Sequence, residues 1–236
     1  RHKDPFGQFH WLEKALQWLR HAQVADGLGK PKALITGHIP PTLDNYHFAP
    51  LWSEEFVDRY MDLVAMYDDV VAAQMFAHTH CDTFRLVPSR NSTHPIFISS
   101  ALSPVYENNP SFRVWRYRGS EVLDFTVYAA DLDKQGPQKE LVFRPLYSAR
   151  AGYGLASLSA KEWRSKVLDQ LTVDPEIYRR YLGRVWQMTE GEKVESALHD
   201  EAFLAKTVCS MQHVHEAGYS TCIPSSGVIE TRTAHV

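Results

Sequence analysis

A chain of 236 residues with 44% hydrophobic and 22% charged residues is long enough for one sizeable core, and its composition excludes the fibrous and disordered classes. A formal net charge of -3 gives no electrostatic case for a nucleic-acid polymer or an anionic membrane as partner. No apolar stretch approaches the roughly 18 residues that crossing a bilayer requires, so no transmembrane segment is expected.

In chain order, Asp4-Pro5 reads as a helix entry. Phe9, Leu12, Leu16 and Leu19 then recur at helical spacing between Gln8 and Val24, with Trp11, Ala15 and Trp18 widening the apolar face. Gly27 and Gly29 are expected to end this helix. Ala33-Leu34-Ile35 has the apolar run of a buried strand, closed by the Gly/Pro loop Thr36-Gly37-His38-Ile39-Pro40-Pro41. A second helix follows over Glu54 to Tyr67. A second buried strand over Val70 to Phe76 runs into the polar loop Ala77-His78-Thr79-His80-Cys81-Asp82. Loops at the ends of consecutive strands are where open α/β sheets build their sites.

Thr83 to Val87, Pro95 to Ser99, Phe112 to Tyr117 and Val122 to Tyr128 read as further strands. From about Ser159 the spacing of Trp163, Val167, Leu171, Tyr178, Tyr181 and Trp186 returns to helix, and Trp115, Trp163, Tyr178 and Trp186 are expected in the core. The final residues, from Ile223 on, lack periodicity and read as a loose tail.

The two histidine loops carry the chemical signal. Neutral imidazole is a good zinc or iron ligand, and a histidine just past the end of a buried strand is held by rigid backbone. His38, His78 and His80 are therefore the candidate metal ligands. In an extended His-x-His the two side chains face opposite ways, which suits two metal ions better than one. His10, His47, His94, His199, His213 and His215 read as surface or structural residues.

Asp4-Pro5, Gln8-Phe9, Trp11-Leu12-Glu13 and Gly37-His38-Ile39-Pro40-Pro41, followed by Ala77-His78-Thr79-His80 with Asp82 and Phe84-Arg85, resemble the second half of calcineurin-like metallophosphoesterases, specifically the acid sphingomyelinase-like phosphodiesterases. The likeness continues through Asn108-Asn109-Pro110, Phe112-Arg113-Val114 and Tyr153-Gly154. It extends to Cys209-Ser210-Met211-Gln212-His213-Val214 and Tyr219-Ser220-Thr221-Cys222. The resemblance implies an α/β fold: the C-terminal half of a four-layer α/β/β/α sandwich over residues 1–128, a mainly helical C-terminal subdomain over 129–223, and a tail over 224–236. It implies two divalent metals, zinc expected, with His38 and His78 on one and His80 on the other, and a secreted or lysosomal phosphodiesterase. Its substrates would be sphingomyelin or nucleotide phosphates, phosphodiester or phosphate-ester molecules or lipids. The family's upstream Asp-x-His, its bridging Asp and its Asn-His pair with the general acid do not occur in this sequence. Arg1-His2-Lys3-Asp4 leads straight into an amphipathic pattern, like the inside of a domain. The chain alone is therefore expected to be inactive, with the N-terminal half of the same domain as its missing partner. The alternative is a non-catalytic fragment or interaction module derived from the family.

Further expectations follow. Ala77 stands where the family usually has Gly, at a strain cost if that backbone needs positive φ. Asp44, Asn45 and Tyr46 follow the first histidine loop and are candidates to line a substrate cleft, and Asn91-Ser92-Thr93 is a glycosylation sequon. Cys81 reads as a free thiol beside the ligands. Relatives carry more cysteines near the C-terminus, in two bridges. Cys209 and Cys222 are either survivors of different bridges or partners of each other, and the second is favoured.

Overall fold

The computed structural model describes residues 4–22, 30–87, 93–134, 140–188 and 191–223. Gly27, Gly29, Asn91 and the 224–236 tail lie outside them. The fold is mixed α/β. Helix α1 (Gln8–His21) precedes strand β1 (Ala33–Thr36), and helix α2 (Glu54–Met66) precedes strand β2 (Val71–Phe76). Strands β3 (Thr83–Arg85) and β4 (Ile96–Ile98) complete a first sheet in the order β1-β2-β4-β3. β1, β2 and β4 run parallel, whereas β3 is antiparallel to β4. The three parallel strands therefore deliver their following loops to the same edge of the sheet.

A second sheet, antiparallel throughout, is built from β5 (Ser111–Arg118), β6 (Glu121–Ala129) and β7 (Arg144–Ser148). The sequence pattern did not announce β7. Pro145 interrupts it, and a strand that carries proline is tolerated here because β7 is at the sheet's edge. The helices α3 (Ala149–Tyr153), α4 (Ala160–Lys166), α5 (Pro175–Val185), α6 (Glu192–Leu198), α7 (Glu201–Gln212) and α8 (Glu216–Cys222) follow. Their starts have local causes. The Ser159 hydroxyl accepts the amide of Glu162, the Asp174 carboxylate accepts those of Glu176 and Ile177 ahead of Pro175, and Asp200 caps Phe203.

Two main cores result. Leu16 of α1 and Val57, Tyr60, Met61 and Val64 of α2 pack against Val71, Ile96 and Ile98 on one face of the first sheet. On the other face, Phe84 and Phe97 meet Phe125 of β6 and Trp163 of α4. The Phe97–Phe125 centroids are 5.5 Å apart and the Phe84–Trp163 centroids 4.5 Å. The same cluster takes in Tyr178, Leu182, Trp186 and Met211, so the C-terminal helices share the core that joins the sheets.

The expected core positions Trp163, Tyr178 and Trp186 are buried and Trp115 is partly so, but two positions on α1 are not: Trp11 and Trp18 are each 70% exposed. They sit two turns apart on a face that no described residue covers, while Phe9, Leu12 and Leu19 flank Leu16 against α2. The entry of α1 also differs. Its N-cap is Gly7 in a left-handed conformation, and Asp4 acts from a distance, accepting the amide of His10 at 3.0 Å.

Candidate metal centre

The loops after β1 and β2 are tied together by an extension of the strand ladder. The Gly37 amide donates to the Met75 carbonyl at 3.0 Å, and the Ala77 amide donates to the His38 carbonyl at 3.0 Å. Glycine is required at 37 because a Cβ there would lie 2.7 Å from the Phe76 ring. That close approach puts His38 directly beside the second loop.

Left-handed backbone falls not on Ala77 but on its neighbours, His78 at φ 71° and His80 at φ 56°. The Thr79 amide donates to the Ala77 carbonyl at 2.8 Å, which makes His78 the centre of a γ-turn, a rare and strained geometry. This corrects the extended His-x-His expected from the sequence. The two rings do part company, but because left-handed residues flank Thr79 rather than because a strand alternates.

The rings of His38 and His78 converge. His78 Nδ1 lies 3.3 Å from His38 Nε2, with ring centroids 5.1 Å apart and nearly perpendicular, and both residues are exposed. Two nitrogens each about 2.0–2.1 Å from one tetrahedral zinc ion must themselves be roughly 3.3 Å apart, so the pair suits a shared ion. His80 turns elsewhere: its Nδ1 is buried without a hydrogen-bond partner, and its ring packs edge-on against Tyr106, centroids 5.7 Å apart. A buried imidazole nitrogen with no partner is uncommon, and a metal ion would satisfy it. Among the described residues no group of three or more His, Cys, Asp or Glu is arranged to hold a metal ion.

The residues after the first loop divide in their roles. Asp44 folds its own loop, its Oδ1 accepting the amides of Tyr46, His47 and Phe48 at 2.6–3.1 Å and its Oδ2 that of Ala49 at 3.3 Å. Asn45 Oδ1 accepts from the buried Arg85 Nη2 at 2.8 Å. Tyr46 reaches toward the second loop: its hydroxyl accepts from Cys81 Sγ at 3.4 Å, and its ring meets Tyr106 at 4.8 Å. Cys81 is a free, buried thiol, its pKa pushed up to about 11 by burial. It is therefore protonated at neutral pH.

The loop after β4 holds the Asn108-Asn109-Pro110 turn of the resemblance, to which the sequence assigns no site role. It contributes Tyr106, more than half exposed beside the His80 ring, and Asn108, buried, whose Nδ2 donates to the His80 carbonyl at 2.6 Å. Beneath the first loop, Cys209 and Cys222 form a disulfide, Cα atoms 5.7 Å apart, joining α7 to α8. Cys209 and Tyr219 pack there with Leu43 and Phe48, the Phe48 and Tyr219 rings stacked at 5.5 Å.

No protein-family model matches the chain. Among curated proteins it is 28% identical to the human acid sphingomyelinase-like phosphodiesterase 3b over 239 residues, covering 95% of this chain and 50% of that protein. It is 33% identical to the human sphingomyelin phosphodiesterase over 175 residues, 70% of this chain and 25% of that protein. Against the Rattus norvegicus cyclic GMP-AMP phosphodiesterase SMPDL3A it is 23% identical over 231 residues, 93% of this chain and 49% of that protein. The chain thus spans half or less of the length of these relatives.

Proposed function

We propose, from the premise that this chain is a relative of the sphingomyelin and acid sphingomyelinase-like phosphodiesterases, that it supplies three imidazoles and one wall of a dinuclear phosphodiester-hydrolase site. The observation that carries the reading is the 3.3 Å approach of His38 Nε2 to His78 Nδ1, with the partnerless, buried His80 Nδ1 in the same loop. His38 and His78 would hold one divalent ion and His80 the other, zinc being the ion that the family resemblance implies and one that imidazole donors suit. Such ions supply charge to neutralise phosphoryl oxygens and to acidify a bound water.

The chain's own residues position this chemistry. The ladder through Gly37 and Ala77 fixes His38 against the second loop, and Tyr46 and Tyr106 wall its His80 side. Three imidazoles do not close two coordination shells, so the bridging carboxylate and the general acid come from polypeptide outside this sequence. That polypeptide would complete the four-layer sandwich of which the two sheets are half. The substrate class is a phosphodiester or phosphate ester, of lipid or nucleotide. A secreted or lysosomal setting accords with the Cys209–Cys222 disulfide.

Calorimetric titration of zinc into the purified chain tests the reading. Weak binding is expected, lost in His78→Ala, with no hydrolysis of bis-p-nitrophenyl phosphate or sphingomyelin. Metal-dependent turnover by this chain that His78→Ala abolishes would overturn the division of the site. Zinc binding indifferent to His78 would overturn the ligand assignment.

A further inference from the structure

Resting on that reading, we propose that Lys193, on the first turn of α6, is a positioning residue for His80. Its ammonium is the centre of a short relay. Lys193 Nζ donates to the Tyr106 carbonyl at 2.6 Å and to Asn108 Oδ1 at 3.0 Å, and Asn108 Nδ2 donates in turn to the His80 carbonyl at 2.6 Å. The side chain is half-buried, and the ammonium lies 4.8 Å from the centroid of the Trp186 ring.

The turn that Lys193 grips would not hold its shape unaided. Tyr106 (φ 69°) and Glu107 (φ 62°) are consecutive non-glycine residues in left-handed backbone, each costing about 1–2 kcal/mol relative to ordinary geometry. Such strain persists only where surrounding contacts over-determine it. Those contacts are identifiable. Lys193 takes the carbonyl of Tyr106, the Asn109 amide donates to the Trp186 carbonyl at 3.3 Å, and Asn109 Nδ2 donates to the Gln187 carbonyl at 3.0 Å. The product of this grip is a Tyr106 ring set edge-on to His80 and an Asn108 amide set on the His80 carbonyl, the residue that is itself left-handed. Asn108 can donate to His80 in only one orientation of its amide, and Lys193, a pure donor, selects that orientation by claiming the oxygen. A helix in the last quarter of the chain thereby sets the backbone of a candidate metal ligand.

The test is zinc titration of the histidine-¹⁵N-labelled full chain, following the ring resonances of His38, His78 and His80 separately. In Lys193→Met, which keeps the stem over Trp186 but removes the ammonium, apparent zinc affinity at His80 is expected to fall about tenfold or more, as loss of groups that orient a ligand does elsewhere. The His38–His78 response should stay unchanged. Asn108→Asp, which still accepts from Lys193 but cannot donate to the His80 carbonyl, should reproduce the loss, and Lys193→Arg should restore part of it. An unaltered His80 response in Lys193→Met and Asn108→Asp would overturn the relay. So would equal losses at all three histidines, which mark general destabilisation. If His38 and His78 respond to zinc in the parent chain and His80 does not, the relay alone fails. If none of the three responds, the metal-site reading fails and the relay falls with it.

Discussion

Replacing Arg113 by Met should cost this chain more stability than any exposed charge removal, and the reason lies at Asp82, the last residue of the histidine loop. Arg113 of β5 and Asp82 form an ion pair through Nη2 and Oδ1, with side chains only 3% and 2% exposed. Tyr147 OH donates to the other Asp82 oxygen at 3.0 Å, the Asp82 amide donates to the Val185 carbonyl at 3.0 Å, and the guanidinium lies 4.1 Å from the centroid of the Phe125 ring. The pair thus joins both sheets and α5 at one point. It is also imperfect, because Arg113 Nε and Nη1 have no partner. Deleting the cation leaves a dry carboxylate with one phenol for company, which costs about 3–5 kcal/mol. Asp82→Asn strands the guanidinium instead and should cost a similar amount. The double variant removes both charges, and its cost should fall short of the sum by about 2–3 kcal/mol. For a chain of this length 1 kcal/mol is worth roughly 2–4 °C, so each single variant should lower the melting midpoint by about 6–20 °C. Urea and thermal melts followed by far-UV circular dichroism, run on all four proteins, complete the cycle. Single costs below about 1 kcal/mol, or costs that add to within about 0.5 kcal/mol, would show that the pair does not act as a buried unit.

Three further outcomes are expected. Gly37→Ala forces a Cβ to within 2.7 Å of the Phe76 ring and should cost about 1–3 kcal/mol while weakening zinc binding at His38; a variant with parental melt and affinity would show that the loop relaxes freely. Closing a thirteen-residue loop, the Cys209–Cys222 bond should contribute about 3 kcal/mol, so dithiothreitol should lower the urea midpoint of the parent and leave that of the Cys209→Ser/Cys222→Ser protein unmoved. Burial holds the His94 pKa below the ordinary imidazole value near 6.5, so between the two values the folded chain binds fewer protons than the unfolded one. The associated stability is therefore full above about pH 6.5 and declines as the pH falls below it. His94→Gln should show a shallower drop in urea midpoint between pH 7.5 and 5.5 than the parent, and an equal drop would assign the acid sensitivity to other groups.

What was legible in the sequence was what local pattern controls. The α1-β1 and α2-β2 units follow from spacing and from the Gly/Pro and His-rich loops that close them, which made His38, His78 and His80 candidate ligands; the pairing of His38 with His78 was what the family resemblance implied. The amphipathic reading of α1 took in Trp11 and Trp18, because periodicity counts apolar residues on a face without showing whether anything covers it. Strand β7 was hidden by Pro145. Of the wall beside His80 the sequence offered Tyr46 and the Asn108-Asn109-Pro110 turn but not their meeting: Asn108 reaches the His80 carbonyl across 28 positions, and Lys193 reaches Tyr106 and Asn108 across 87 and 85. Asp44 and Asn45 looked like cleft residues on proximity alone, but an Asp that accepts four backbone amides within five residues of itself is a turn-former.

The distribution of backbone strain says most about where this chain's chemistry lies. Among the described residues the non-glycine positions at positive φ are Phe48, His78, His80, Tyr106, Glu107 and Gln187. Phe48 lies in the loop after β1, His78 and His80 in the loop after β2, and Tyr106 and Glu107 in the loop after β4. The carbonyl of Gln187 clamps Asn109 in that last loop. Four of the six (Phe48, Tyr106, Glu107 and Gln187) are none of asparagine, aspartate and histidine, the non-glycine residues enriched in left-handed backbone, so those four cost stability that a simple substitution would recover. Strain spread by chance would not collect at the one sheet edge to which three parallel strands deliver their loops. It is what positioning demands: ordinary backbone after β2 would carry His78 away from His38 and leave no reason for Asn108 to hold the His80 carbonyl. Glu107→Gly, which relieves strain without removing an imidazole, should therefore stabilise the fold in a urea melt and weaken zinc binding at His80 together, a pairing that a purely structural loop would not show.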